Sequence, residues 1–211
     1  MTHTERGSGP TLDFWFEFGS NYSYLSVMRI EDEAARAGVA IRWRPFLLGP
    51  IFRSFGWETS PFVMQKQKGD YVWTDMARQC LKYGLPWQRP SIFPRSAILA
   101  HRVALLCAEA SWVGAFCRAV MQINFALDRD IESAAVVGEV LKRLGLPAED
   151  LITHAQSDEN KLHLRRQTEA AAALGIFGAP TFMVGDEMFW SNDRLDEALA
   201  WARETATGMA T

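Results

Sequence analysis

The sequence predicts an α/β fold in which one sheet domain is interrupted by a large all-helical insertion. Two strand-like runs flank a helical stretch near the N-terminus, a long middle region has apolar residues at helical spacing, and two short strand-like runs precede the last helix. The expected sheet domain spans residues 11–46 and 175–206, and the mainly helical insertion spans 47–174. Because the sheet comes from both ends of the chain, its two parts must fold together.

The N-terminal elements follow from alternation and from glycine and proline breaks. Residues Leu12–Phe18 are dense in aromatic side chains at alternate positions, which favours a strand. A helix is expected from near Tyr22 to Ala37, with Gly38 as its stop. Residues Val39–Phe46 alternate again and predict a second strand. The order strand, helix, strand is that of a parallel βαβ unit.

The rest of the chain is first helical and then returns to the sheet. Gly and Pro residues divide the middle region into helical stretches, which are expected over Pro61–Tyr83, Ala97–Ala110, Val113–Leu127, Ser133–Leu144 and Ala148–Leu174. Thr181–Val184 and Glu187–Trp190 predict two strands, and the Gly-Asp turn between them is typical of a hairpin. The final helix should begin near Ser191–Asp193.

Composition and charge narrow the class of protein. The 211 residues are 48% hydrophobic and include 13 Phe and 8 Trp, enough for a large core and an aromatic pocket. The net charge of −3 argues against nucleic-acid binding through a general basic surface. The polar stretch Met1–Pro10 is interpreted as a loose tail without an apolar signal region, and no run reaches the ~20 apolar residues of a membrane span. We therefore expect a cytoplasmic protein that binds neither nucleic acid nor membranes.

Cysteine and histidine spacing indicates neither a disulfide framework nor a metal site. Cys80, Cys107 and Cys117 are widely separated, without a CxxC pair, and are interpreted as reduced, buried apolar residues. The four histidines fit no metal-ligand spacing. No metal is predicted.

The first candidate site is the turn that contains Ser20 and Asn21. It lies where a strand passes into a helix, and the free N–H groups at such a place can bind an anion. Either residue can instead be simply the helix N-cap, and from the segment alone this structural interpretation is favoured.

Two C-terminal segments are also candidates. Pro180 can merely end the preceding helix, or it can form a cis bond that exposes the backbone of Ala179 to an extended peptide ligand. The polar run Trp190-Ser191-Asn192-Asp193 can cap the last helix. Alternatively, Asp193 can bind a free amino group while Ser191 and exposed N–H groups bind a carboxylate.

Together these segments resemble the thioredoxin superfamily, in the DsbA-like branch that carries a helical insertion and includes the kappa-class glutathione transferases. Within it, the sequence is most similar to the 2-hydroxychromene-2-carboxylate isomerase family. The resemblance covers nearly the whole chain, and it is carried by DFWFEFGSNYSYL (13–25), WRPFLLGPIF (43–52), KGDYVWTDM (68–76), FPRS (93–96) and GIFGAPTFMVGDEMFWSNDRLD (175–196).

The resemblance implies a glutathione cofactor and assigns residues to it. Where dithiol relatives have CxxC, this chain has Ser20-Asn21-Tyr22-Ser23, so disulfide exchange at this turn is excluded. Ser20 would be catalytic and hold the glutathione sulfur, and its hydroxyl with the helix dipole would lower the thiol pKa. The backbone of Ala179 before a cis Pro180 would bind the cysteinyl backbone. Trp190, Ser191, Asn192 and Asp193 would bind the γ-glutamyl end.

The substrate implied by the resemblance is a small aromatic carboxylate. Lys68 and Arg95, with Arg53 behind them, are the candidate cations for its carboxylate, although each can equally be a solvated surface charge. The candidate aromatic contacts are Phe52, Tyr71, Trp73 and Phe93, although aromatic residues at helical spacing are mostly core. The family also implies a homodimer.

Three functions stay open at this point. The first is a glutathione-dependent cis–trans isomerase that interconverts 2-hydroxychromene-2-carboxylate and trans-o-hydroxybenzylidenepyruvate in aromatic-compound catabolism. The second is a kappa-type glutathione transferase, and the third is a binding protein without catalysis. Three departures from the family pattern concern the site: Asn21 replaces a common Pro, Ser96 an Asn and Ala179 a Val.

Overall fold

The computed structural model describes residues 9–208 and contains one four-stranded sheet covered by helices on both faces. The predicted tail, except for Gly9 and Pro10, lies outside the described residues. The sheet order is β2-β1-β3-β4. β1 pairs with β2 in parallel and with β3 antiparallel, and β3 and β4 form an antiparallel hairpin. The predicted α/β class, βαβ unit and hairpin are therefore confirmed.

The elements follow the predicted order. The strands are β1 (Thr11–Phe16), β2 (Ala40–Pro45), β3 (Thr181–Val184) and β4 (Glu187–Trp190). The helices are α1 (Asn21–Val27), α2 (Ile30–Ala37), α3 (Leu48–Ser54), α4 (Pro61–Met64), α5 (Lys66–Tyr83), α6 (Ile98–Leu106), α7 (Val113–Phe125), α8 (Ala134–Arg143), α9 (Ala148–Ala155), α10 (Asp158–Ala173) and α11 (Leu195–Ala206). One turn of 3-10 helix, Asn192–Arg194, precedes α11.

Three of the predicted helices are each divided in two. The helix expected over 22–37 breaks after Val27, and α2 begins at Ile30. The helix expected over 61–83 breaks at Gln65, where α4 ends and α5 begins. The helix expected over 148–174 breaks before α10, because the Ser157 hydroxyl accepts the Asn160 N–H and starts a new helix. Apolar spacing continued across all three breaks, so it did not indicate them.

Two apolar clusters cover the two faces of the sheet. Phe14, Phe16 and Phe182 belong to the larger cluster, which includes residues of both predicted units. Trp15 points to the other face and packs in a smaller cluster with Phe46. The alternation of β1 therefore separates two buried faces instead of a buried and a solvated one. The boundaries of the two predicted units stay a prediction.

Candidate functional site

A cavity of about 720 Å³ lies beyond the carboxyl end of β1, between the sheet and helices α3 to α5. It brings together most of the residues that the sequence singles out, and the lining includes Ser20, Arg53, Lys68, Arg95, Ala179, Trp190 and Ser191. Ligand cavities in proteins commonly occupy ~300–1,000 Å³, so this one is large enough for a tripeptide and a second small molecule.

Ser20 is both the helix N-cap and a wall of the cavity. Its Oγ accepts the N–H of Ser23 at 3.2 Å and donates to the carbonyl oxygen of Ala179 at 2.8 Å. The two predicted segments, far apart in the chain, are therefore in direct contact. The helix that Ser20 caps, α1, is shorter than predicted, so the dipole expected to stabilise a sulfur anion comes from few peptide units.

The Ala179–Pro180 peptide bond is cis, as the resemblance implied. The carbonyl of Pro180 accepts the N–H of Ser191 at 3.0 Å, so this segment is joined to the end of β4. Ser191 itself has φ 92° and ψ 154°, a region of backbone conformation that is rarely occupied by residues other than glycine. A conformation of this kind costs about 1–3 kcal/mol and is enriched at ligand-binding sites.

Of the four residues expected to bind the γ-glutamyl end, Trp190 and Ser191 line the cavity, whereas Asn192 and Asp193 do not. Trp190 is half exposed and contacts Phe177 at 4.8 Å between ring centroids. Asn192 points away from the cavity: its buried Oδ1 accepts hydrogen bonds from Ser26 Oγ at 3.1 Å and from Arg29 at 3.2 Å. The predicted ligand role of the Asn192 side chain is corrected accordingly, because that oxygen fastens the 3-10 turn to α1 and α2.

Asp193 is exposed, and the cavity lining among residues 9–208 does not include it. Burial is the main reason that the pKa of the Tyr22 phenol is raised, and the negative charge of nearby Asp193 adds to this rise. Asp193 therefore lies outside the cavity but near the start of α1. An amine held by Asp193 would extend past the rim of the cavity.

Arg95 does not present a free cation to the cavity. Its guanidinium is buried and is bonded to Asp128, to Asn124 Oδ1 at 3.0 Å and to Ser91 Oγ at 3.2 Å. The expectation that Arg95 binds a substrate carboxylate is corrected, because its charge is already paired. Arg95 acts on the site indirectly, since Asn124 also donates to the carbonyl of Phe18 at 3.1 Å and so fixes the turn before Ser20.

A second buried side chain, His101, fixes the same turn. Its Nε2 accepts the N–H of Phe18 at 3.3 Å, and its Nδ1 lies 2.8 Å from the carbonyl oxygen of Ala97, to which it donates. Burial lowers the pKa of His101 to about 4, so the ring is neutral at neutral pH. Both backbone polar groups of Phe18 are thus held by side chains from the helical region.

Glu17 is the carboxyl group of the site. It lines the cavity, its side chain is 13% exposed, and its Oε1 lies 3.6 Å from Nε2 of His101. Burial raises the pKa of Glu17 to about 7, and a hydrogen bond from the N–H of Gly19 opposes this rise. Sequence reasoning did not select Glu17 or His101; the available signal was an acidic residue three positions before the candidate serine.

Gly19 is required by close packing. A Cβ at this position would lie 2.7 Å from the carbonyl oxygen of Arg95 and 3.0 Å from Oε2 of Glu17. The first of these contacts is with backbone, which cannot move aside easily. Glycine therefore permits the Arg95 segment and the Glu17 carboxyl to lie against the turn.

Arg53 and Lys68 are exposed side chains that line the cavity. The ion pairs formed among residues 9–208 include neither of them. Nζ of Lys68 lies 5.8 Å from the centre of the Phe62 ring. These two are the predicted cations that stay available to an acidic ligand.

Of the four aromatic residues predicted to contact the substrate, three line the cavity and one lies behind its wall. Phe52, Tyr71 and Phe93 line the cavity, and Tyr71 is 61% exposed. Trp73 instead packs against Trp87 and the edge of Phe93, behind the lining. Trp73 is corrected from a ligand contact to a supporting residue.

Asn21 brings an unsatisfied donor to the start of α1. Its side chain is 1% exposed, it lines the cavity, and its Nδ2 has no hydrogen-bond partner in the described part of the chain. An unsatisfied buried amide costs about 1–3 kcal/mol. The replacement of a common Pro by Asn therefore adds a polar group next to Ser20 at a cost to stability.

Neither a metal site nor a membrane span is found within residues 9–208. No group of three or more His, Cys, Asp or Glu side chains there is arranged to hold a metal ion. No helix in that range combines the length and the apolar character needed to cross a bilayer.

The fold and the site together define a thioredoxin-fold protein of the DsbA-like class, and the family described as DSBA-like thioredoxin domain matches residues 11–200. Within this class the chain belongs to the 2-hydroxychromene-2-carboxylate isomerase family. It is 30% identical over 186 residues to the 2-hydroxychromene-2-carboxylate isomerase of Pseudomonas putida, covering 87% of this chain and 90% of that protein. It is 29% identical over 188 residues to the isomerase of the same name from Sphingobium xenophagum, covering 88% and 94%.

More distant relatives include a glutathione transferase. Glutathione S-transferase kappa 1 of Caenorhabditis elegans is 26% identical over 208 residues, covering 88% of this chain and 87% of that protein. A solved structure of 2-hydroxychromene-2-carboxylate isomerase is similar with a TM-score of 0.83 and 24% identity, covering 95% of this chain and all of that one. The structural likeness supports the fold, and the sequence relatives indicate an enzyme of the isomerase type.

Proposed function

We propose that the protein is a glutathione-dependent cis–trans isomerase that interconverts 2-hydroxychromene-2-carboxylate and trans-o-hydroxybenzylidenepyruvate, or a close analogue of this pair. The observation that carries this proposal is the contact of Ser20 with Ala179 in the wall of a large cavity. That contact joins the hydroxyl expected to hold a sulfur to the backbone expected to hold a peptide. The family membership supplies the reaction class.

The residues present fit glutathione. The cavity is large enough for a tripeptide and a substrate, and it offers Ser20, the Ala179 segment and the strained Ser191 along one side. The unsatisfied Nδ2 of Asn21 adds a donor beside Ser20. When bound, glutathione supplies a thiolate that can add to a conjugated double bond, permit rotation and leave.

Ser20 would stabilise the thiolate by changing the acceptor of its hydroxyl hydrogen. Without ligand the hydroxyl donates to the neutral carbonyl of Ala179. Hydrogen bonds to an ionised acceptor are roughly twice as strong as those between neutral groups, so a sulfur anion would compete well for the same hydrogen. The N–H of Ser23 would continue to hold the Ser20 oxygen in place.

Arg53 and Lys68 would orient the substrate. Both are charged, exposed and free of ion pairs with other described residues, and both line the side of the cavity that is formed by α3 and α5. A substrate carboxylate can pair with either cation without breaking an existing salt bridge. Phe52, Tyr71 and Phe93 offer apolar contacts to an aromatic ring in the same space.

A kappa-type glutathione transferase is the second candidate. It is favoured by the kappa-class relative and by the same Ser20 arrangement, which activates a thiol for either reaction. Conjugation of a chloronitrobenzene acceptor, without any change of the chromene, would select this function. Isomerisation without a lasting conjugate would select the first.

A spectrophotometric assay with the chromene substrate tests the proposal. Activity should require glutathione, and Ser20→Ala should lower kcat by about 10²-fold, as expected for the loss of one donor to a developing anion. The matched control is Ser60→Ala, because Ser60 is also a buried N-cap that lines the cavity but lies at α4. Full activity without glutathione, or in Ser20→Ala, would contradict the proposal.

A further inference from the structure

Glu17 has no role in the function proposed so far, although it lines the same cavity as Ser20. It ends the segment that leads from β1 into the turn, and the N–H of Ser20 donates to its backbone carbonyl at 3.0 Å. Its carboxyl lies over Gly19, whose missing side chain leaves room for both oxygens. Glu17 and Ser20 line the same cavity and are joined by this backbone hydrogen bond, so a ligand atom held at Ser20 shares the cavity with this carboxyl.

The charge of Glu17 is not balanced by a neighbouring cation. Within residues 9–208 no Lys or Arg lies within ion-pair distance of its carboxyl, and the guanidinium of Arg95 is directed to Asp128. The group that faces Glu17 from α6 is His101, which is neutral because its Nδ1 donates to Ala97 and its Nε2 accepts from Phe18. From α1 the uncharged hydroxyl of Ser23 accepts the backbone N–H of Glu17 at 3.5 Å.

Such surroundings tolerate one negative charge better than two. A thiolate at Ser20 and an ionised Glu17 would repel each other, because the Glu17 side chain is mostly buried and no described Lys or Arg lies within ion-pair distance of its carboxyl. The pKa of Glu17, about 7, is also close to that of a thiol whose pKa has been lowered from ~8.5. A proton can therefore pass between the two groups at little cost.

We infer that Glu17 accepts the proton of the thiol that binds at Ser20, so that the carboxyl and the sulfur hold one proton between them. The S–H bond breaks, its electron pair stays on sulfur, and the proton forms an O–H bond on Glu17. When the thiol leaves the site, the same proton returns to sulfur. This inference rests on the proposed use of glutathione, and it assigns to the chain the base that the proposed function lacks.

Proton release during glutathione binding tests the inference. Isothermal titration calorimetry at pH 7.5, in buffers of different ionisation enthalpy, counts the protons released per glutathione bound. At this pH free glutathione is mostly protonated and Glu17 is mostly ionised, so the wild-type protein should release close to zero protons. Glu17→Gln cannot accept the proton and should release close to one, whereas Glu17→Asp should behave like the wild type.

Two controls separate this inference from the function on which it rests. Glu58→Gln removes an exposed carboxyl that also lines the cavity, and it should leave proton release unchanged. S-methylglutathione has no thiol proton and should release none from any variant. Equal proton release by the wild type and Glu17→Gln would overturn the inference while the function stands. A wild-type protein that does not bind glutathione would overturn the function itself.

Discussion

The two sides of the cavity are built in opposite ways. On the side proposed to hold the glutathione sulfur (the sulfur side), Glu17 and Ser20 lie before and after Phe18, whose backbone is held by the buried side chains of Asn124 and His101. On the side proposed to bind the substrate (the substrate side), Arg53 and Lys68 are exposed and are paired with no other described residue. Proton transfer and anion stabilisation depend on fixed positions in a dry environment, whereas recognition of a carboxylate can rely on charge from mobile side chains. One cavity can thus combine reacting groups that are held in place with exposed charged side chains that adjust to the ligand.

The largest effect should come from the buried pair on the sulfur side, through the pH dependence of stability. The folded-state pKa of Glu17, about 7, is above its ordinary 4.5, so Glu17 destabilises the fold as pH rises through this range. The pKa of His101, about 4, is below its ordinary 6.5, so His101 destabilises the fold as pH falls. The two effects have opposite signs between pH 4.5 and 6.5.

Glu17→Gln should remove the effect of Glu17 on the pH dependence of stability and leave that of His101. Above pH 7 the variant should be more stable than the wild type by on the order of 3 kcal/mol. Between pH 4.5 and 6.5 its stability should rise with pH, because the effect of His101 is then no longer opposed by that of Glu17. Urea unfolding at several pH values measures this, with Glu58→Gln as the exposed control. Parallel profiles for the wild type and Glu17→Gln would show that Glu17 is solvated, which would remove the contrast between the two sides.

Gly19→Ala should disturb the same side by packing. The new Cβ would lie 2.7 Å from the carbonyl oxygen of Arg95, so the turn must move, at a cost of about 2 kcal/mol. Glutathione affinity should fall with stability, because Ser20 follows directly. Gly138→Ala in α8 is the control: its nearest contact, Cδ1 of Ile152, would be an ordinary 3.5 Å, and a stabilisation of about 1 kcal/mol is expected. A Gly19→Ala variant that unfolds at the wild-type midpoint or above would refute the close packing of the turn.

Lys68→Met should affect the substrate side without affecting the fold. Loss of one charged partner of a carboxylate should raise KM for the chromene roughly fivefold to tenfold, with little change in the unfolding midpoint. Arg53→Met should act in the same direction. Lys66→Met is the matched control, because Lys66 is equally exposed but pairs with Asp70. A KM that rises equally in Lys66→Met would indicate a general effect of charge instead of a contact.

Asn21→Pro should give the smallest change, and its sign is diagnostic. Position 21 is the first of α1, where Pro is well tolerated, and Ser20 already has the extended backbone that precedes a proline. The variant also removes an unsatisfied buried amide, so we expect a stabilisation of about 0.5–1 kcal/mol in thermal unfolding. Weaker glutathione binding despite the higher stability would show that Nδ2 serves the ligand; unchanged binding would limit Asn21 to a structural role.

Local patterns were sufficient for the strands and insufficient for the helix breaks. The alternation of β1 and the Gly-Asp turn between β3 and β4 are properties of a few neighbouring residues, and both predictions were confirmed. The division of the helix expected over 22–37 and the added helix α3 were not predicted. Those features depend on how the chain packs against the sheet, which periodicity does not record.

The sequence by itself determined the fold class, the absence of a CxxC pair and the serine that replaces its first cysteine, because each is a matter of residue type and short spacing. Only the tertiary structure decided which charged groups belong to the site. Arg95 pairs with Asp128, which is 33 positions away, and Glu17, between β1 and α1, lies 3.6 Å from His101 of helix α6. Burial and pairing between distant segments set whether a charge is free or already engaged, and no local pattern contains that information.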